Sequence, residues 1–150
     1  MSEPRRRKAL AVLTAATAVT VLVLIYVYIE RPVNSQTLSV NGHTYSLLIA
    51  STAASQEKGL GDRRSLPADE GMLFIFNAPA IQCFWMKDMY FPIDMVWVGA
   101  ARQVLYIQSD VQPSSYPDSY CPNVQAKYVI ELNAWQTKHD GMKIGQSLKF

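Results

Sequence analysis

Ala9–Ile29 carries no charged residue in 21 positions, and the run Arg5-Arg6-Arg7-Lys8 stands directly before it. A helix of that length rises about 30 Å, enough to cross the hydrocarbon core of a bilayer. The basic run predicts that residues 1–8 stay in the cytoplasm and that everything beyond Ile29 lies outside. Tyr26 and Tyr28 stand at the outer end, where amphipathic rings suit the headgroup region. A cleaved signal peptide would have an apolar core of about 7–15 residues followed by small residues. Here Tyr26-Val27-Tyr28-Ile29-Glu30-Arg31-Pro32 closes the segment instead. The expectation is a retained single-pass anchor at 9–29 in the cytoplasmic membrane, with the lipid bilayer as its partner. A short polar linker at 30–36 then leads to a folded extracytoplasmic body at 37–150.

Hydrophobic residues make up 49% of the chain against 17% charged, which excludes intrinsic disorder for the body. Four of the 14 basic and one of the 12 acidic residues precede Ala9, leaving 10 against 11 and a net charge of −1 beyond the anchor. A body without a basic stripe is not expected to track a phosphate backbone, so no nucleic-acid partner is expected. A body of this size buries enough surface for one hydrophobic core.

Along that body, short strand signals dominate. Asn41-Gly42 between two alternating runs predicts a hairpin with a type I′ turn, whose two central residues need positive φ. Ser55–Lys58 predicts a short helix ended by Gly59 and Gly61. Met72–Phe76, Cys83–Lys87, Ile93–Val98 and Val104–Gln108 read as strands, the first of them apolar on both faces. Residues 109–125 carry Pro113, Pro117 and Pro122 and read as a long loop. Ala126–Leu132 alternates, with Ala126, Tyr128, Ile130 and Leu132 on one face and Lys127 and Glu131 on the other. Asn133–His139 predicts a helical turn and Gly145–Phe150 a last strand. Many short strands separated by turns predict an all-β body, a sandwich or barrel with little helix.

Several familiar chemistries lack their residues. His43 and His139 stand 96 positions apart without metal-ligand spacing, so they read as separate surface histidines and no metal or other cofactor is expected. Gly59-Leu60-Gly61 has no Lys-Ser/Thr partner for a phosphate loop, and no G-x-S-x-G elbow occurs. Cys83 and Cys121 both fall in the part predicted to be outside, where disulfides persist. They read as a bridge, as two unpaired thiols, or as a reactive pair, the last without a neighbouring cation to lower a thiol pKa. Asp94 shares a strand face with Val96 and Val98, where a carboxyl is either paired and hydrogen-bonded or stays neutral with a raised pKa. Lys87, Arg63 and Arg64 are the candidate counter-charges. Trp85, Tyr90 and Trp97 read as core or rim aromatics, with stacking on a ligand as the alternative.

Six segments together resemble one family. Gly59-Leu60, Arg64-Ser65-Leu66, Gly71-Met72-Leu73-Phe74, Phe84-Trp85-Met86-Lys87, Pro92-Ile93-Asp94-Met95 and Tyr128-Val129-Ile130-Glu131-Leu132 follow the order of the domain of unknown function 192. The resemblance covers residues 37–150 and implies a β-rich sandwich of jelly-roll type behind a signal or anchor. It implies no agreed catalytic residue, substrate or cofactor. The family usually has Gly-Leu-Met, an aromatic and Arg where this chain has Gly59-Leu60-Gly61-Asp62-Arg63, and Asn-Thr where it has Asp88-Met89. If the missing Met and Thr line a pocket, that pocket is altered here.

The leading expectation is a non-catalytic ligand-binding or envelope-interaction module, with envelope carbohydrate or protein as its partner. Arg64, Trp85, Lys87 and Asp94 are its candidate binding residues. The alternatives are a hydrolase acting through Asp94 with Lys87 or Arg64, and a membrane-tethered assembly partner.

Overall fold

Asn41 and Gly42 take φ of 46° and 93°, the two positive values that the hairpin turn demands. They join β1 (Ser35–Val40) to β2 (His43–Ala50), with Val40 opposite His43. The computed structural model describes residues 35–150, so β1 starts two residues earlier than the predicted body. The predicted tail at 1–8, the anchor at 9–29 and all but the last two residues of the linker at 30–36 lie outside the described residues. Among the described residues, no helix is long and apolar enough to cross a membrane.

Beyond the hairpin come α1 (Ala53–Lys58), β3 (Glu70–Ala80), β4 (Phe84–Trp85), β5 (Ile93–Val98) and β6 (Val104–Val111). A 3-10 turn at Pro113–Ser115, β7 (Ser119–Tyr120), β8 (Ala126–Asn133) and α2 (Gln136–His139) complete the chain. The strands form an open six-stranded sheet, β1-β2-β3-β8-β5-β6, and a two-stranded ladder, β4-β7. Cys83 and Cys121 are bridged beside that ladder, their Cα atoms 4.3 Å apart across a separation of 38 residues. The stretch at 109–125, predicted as loop, thus contains the end of β6 and all of β7.

These ladders are not the two facing sheets of the expected jelly-roll sandwich. The connection from β2 to β3 is the reason. Residues 51–69 carry the chain back through α1, so β3 pairs with β2 in parallel, a geometry that a hairpin cannot produce. The second reason is β5, whose six residues are all buried. One sheet therefore carries a core on each face. Met95 and Trp97 of β5 pack with Phe74, Phe84 and Val129 on one side. Val96 and Val98 pack with Leu38, Tyr45, Leu47 and Ile130 on the other. The C-terminal stretch, predicted as a strand, makes only isolated bridges: Lys149 to Ser39 and Ser147 to Gln103. It thereby touches both outer strands without closing the ladder.

Candidate functional site

Glu131 sits on β8 between Met72 of β3 and Met95 of β5, its partners in register. Side chains of directly opposed residues share a face, so its carboxyl joins the core that contains Phe74 and Trp97. Alternation places Glu131 on the face of Lys127, and the structure shows that this end of the face is covered: Glu131 is 4% exposed. Along this face of β8, Lys127 is half-buried and its ammonium reaches the Asn77 carbonyl, whereas Val129 and Glu131 are both buried. The covering comes from elsewhere in the chain, namely the residues after α1 and strand β4.

That covering leaves a cleft of about 250 Å³. Gly59, Phe74, Phe84, Trp85, Lys87 and Glu131 are among its walls. Gly59 ends α1 by donating its N–H to the Ser55 carbonyl and takes a φ of 50°. A Cβ there would meet Phe74 Cζ at 3.4 Å and Glu131 Oε2 at 3.9 Å. Glycine thus lets the main chain pass close over both groups. Phe84 stands edge-on to Phe74 with ring centroids 4.8 Å apart, giving an aromatic wall.

Within this cleft Glu131 Oε2 has no hydrogen-bond partner among the described residues. Burial raises the carboxyl pKa from 4.5 to about 8. Desolvation disfavours the ionised form, and no cation or donor offsets it. At neutral pH the group is a protonated acid that can both donate and accept a hydrogen bond. At the rim, Lys58 is paired with Asp62, while Lys87 makes no ion pair among the described residues.

Of the residues singled out from sequence, Trp85 and Lys87 line this cleft, and Trp85 is half exposed at its mouth. Arg64 does not join them; it lies in a separate shallow depression with Asp62 and Tyr90. Trp97 is fully buried core and donates its indole N–H to the Gln82 carbonyl. Asp94 faces the other core, as alternation predicts, but its partners are not Lys87, Arg63 or Arg64. Asp94 Oδ1 accepts the N–H groups of Asp110 and Trp135 at 2.9 and 3.0 Å. Oδ2 accepts the N–H and hydroxyl of Thr137 at 2.9 and 2.6 Å. Both oxygens are thus taken up by protein donors. His43 and His139, expected apart, meet beside Asp140. Glu131 escaped notice as a site residue because a lone Glu in an alternating strand reads as its solvent side.

The family model described as an uncharacterised ACR, the domain of unknown function 192, matches residues 36–150. The chain belongs to this family. Two solved structures are similar to it. One is a protein of unknown function from Novosphingobium aromaticivorans, 29% identical, covering 80% of this chain and 90% of its own, with a TM-score of 0.74. The other, from Sinorhizobium meliloti, is described as a candidate transcription regulator; it is 28% identical and covers 80% of this chain and 96% of its own, with a TM-score of 0.74. A search of curated proteins gives no match. Both departures of this chain from the usual pattern of the domain of unknown function 192 fall at the cleft, since Gly61 and Met89 line it. A Cβ at Gly61 would stand 2.9 Å from the Lys58 carbonyl oxygen. The usual Met therefore does not fit this backbone unchanged.

Proposed function

We propose that the body is a ligand-binding module held on the outer side of the cytoplasmic membrane, and that its ligand enters the Glu131 cleft. The uncharged 21-residue segment behind four basic residues supports the tethering. The Cys83–Cys121 bridge supports an oxidising side. The observation that carries the binding is the buried carboxyl of Glu131, unpartnered in an aromatic-walled cleft. Such a site fits an uncharged molecule with an apolar ring or chain and one hydrogen-bonding group, the usual make-up of small-molecule sites. The hydrolase reading through Asp94 has less support, because both carboxylate oxygens are occupied by structural donors. A nucleic-acid role, which the description of the Sinorhizobium protein raises, has little support from a body of net charge −1.

Two measurements test the two halves. A reporter that is active only outside the cytoplasm, fused after Phe150, should be active in intact cells, and a fusion that is made but inactive would refute the tethering. Benzamide offers a ring for Phe74 and Phe84 and an amide for the carboxyl. Its saturable binding to the full-length protein, followed by calorimetry, should weaken about tenfold or more in Glu131→Leu, where the polar group finds no partner. Equal binding to both proteins, or none to the wild type, would count against the cleft as described.

A further inference from the structure

On the face of the sheet opposite the Glu131 cleft, a second cluster has the donors of a metal site. Asn41, in the β1–β2 turn, donates its side-chain amide to the main-chain carbonyl of Asp140 at 2.6 Å. This contact brings the start of β2, which carries His43, against the end of α2, which carries His139. The C-terminus of α2 is fixed by Gly141, with φ of 63°, and by the Met142 N–H bonded to the Thr137 carbonyl. Its N-terminal N–H groups are held by Asp94. The three side chains are therefore presented by anchored backbone.

Asp140 Oδ1 lies 3.1 Å from His43 Nδ1 and 2.9 Å from His139 Nδ1. One ligand atom from each residue lies within 4.8 Å of the other two. Ligands on a tetrahedral zinc stand about 3.3 Å apart, given bonds of about 2.0–2.1 Å. The two carboxylate–imidazole spacings are already within a few tenths of that value. The remaining adjustment falls on His139, whose side chain is 77% exposed and free to turn, while that of Asp140 is 2% exposed and fixed. The second carboxylate oxygen, Oδ2, accepts the buried Tyr45 hydroxyl, the kind of outer contact that orients a metal-binding carboxylate. His43 is stacked on the Tyr45 ring at 4.4 Å, which sets its plane.

We propose that His43, His139 and Asp140 bind a divalent cation of the zinc class, with solvent completing the coordination on the exposed His139 side. Two imidazoles and one carboxylate suit a borderline transition ion, and a hard ion such as Mg²⁺ would find too few oxygens. Metal-stripped full-length protein titrated with Zn²⁺ should bind one ion per chain and melt at a higher temperature. Co²⁺ should give the visible absorption of a tetrahedral site, and Mg²⁺ should give neither response. His139→Ala, at a surface position that does not threaten folding, should lower zinc affinity about tenfold or more, and His43→Gln likewise. No zinc binding by the wild type would overturn the proposal. So would binding that both variants keep, because the ion would then sit elsewhere on the chain. In that case the three residues form only a hydrogen-bonded cluster.

Discussion

Glu131→Gln is expected to stabilise the protein relative to the wild type by an amount that grows with pH. The unfolded carboxyl titrates near 4.5 and the folded one near 8, owing to burial. Between those values the native state holds a proton that the unfolded state has lost, so wild-type stability falls as pH rises through this window. The loss starts near pH 4.5 and is complete once pH passes about 8. A difference of this size corresponds to about 5 kcal/mol. That is a large share of the roughly 5–15 kcal/mol that keeps a domain folded. The amide has no such titration, so its stability curve lacks this slope. Urea denaturation of both proteins at pH 5, 7 and 9 measures the widening gap. Any constant cost of burying the amide cancels between pH values, and Glu57, Lys58 and Lys87 around the cleft are common to both proteins. Curves that stay parallel would show that Glu131 is not held as a neutral acid.

Asp94→Ala is expected to lose roughly 5 kcal/mol, because four donors converge on one buried carboxylate and each unpaired donor costs about 1–3 kcal/mol. Three of them are main-chain N–H groups that have no other role to fall back on. Two of these belong to Trp135 and Thr137, so the loss also releases the start of α2. Trp135 holds a φ of 71° there, which the surrounding bonds must sustain. Asp94→Asn keeps an oxygen for Asp110 and Trp135 but turns an NH₂ toward the N–H of Thr137. Its expected loss is smaller, about 2 kcal/mol, the Thr137 hydroxyl being able to rotate and accept. Chemical denaturation of the three proteins ranks them. An alanine variant as stable as the wild type would reopen the case for Asp94 as a ligand-contacting group.

What was legible in the sequence is what local chemistry decides. The Asn41-Gly42 turn, the bounds of β5 and the short helix before Gly59 follow from residue types within a few positions of each other. The parallel pairing of β2 with β3 was not legible, because nothing local to either strand reports which way a 19-residue connection returns. Glu131 was hidden for a related reason. Alternation tells that Lys127 and Glu131 share a face but not that residues around Gly59 and Phe84 cover one end of it. The motif around Phe84-Trp85-Met86-Lys87 did lead to two cleft residues, Trp85 and Lys87, but its neighbour Arg64 lies outside. His43 and His139 met only through the docking of Asn41 on Asp140, a contact 99 residues apart.

The double burial of β5 and its neighbour β8 has a consequence for how this chain can vary. Glu131 and Leu132 are consecutive, yet one faces the aromatic cleft and the other the core beneath Tyr45. The sheet acts as a septum between two chambers, each filled by its own cluster of buried side chains. Substitutions in opposite chambers should therefore combine with little epistasis, their energies adding within about 0.5 kcal/mol. The cleft around Gly61 and Met89 can thus be remodelled while the histidine side stays as it is.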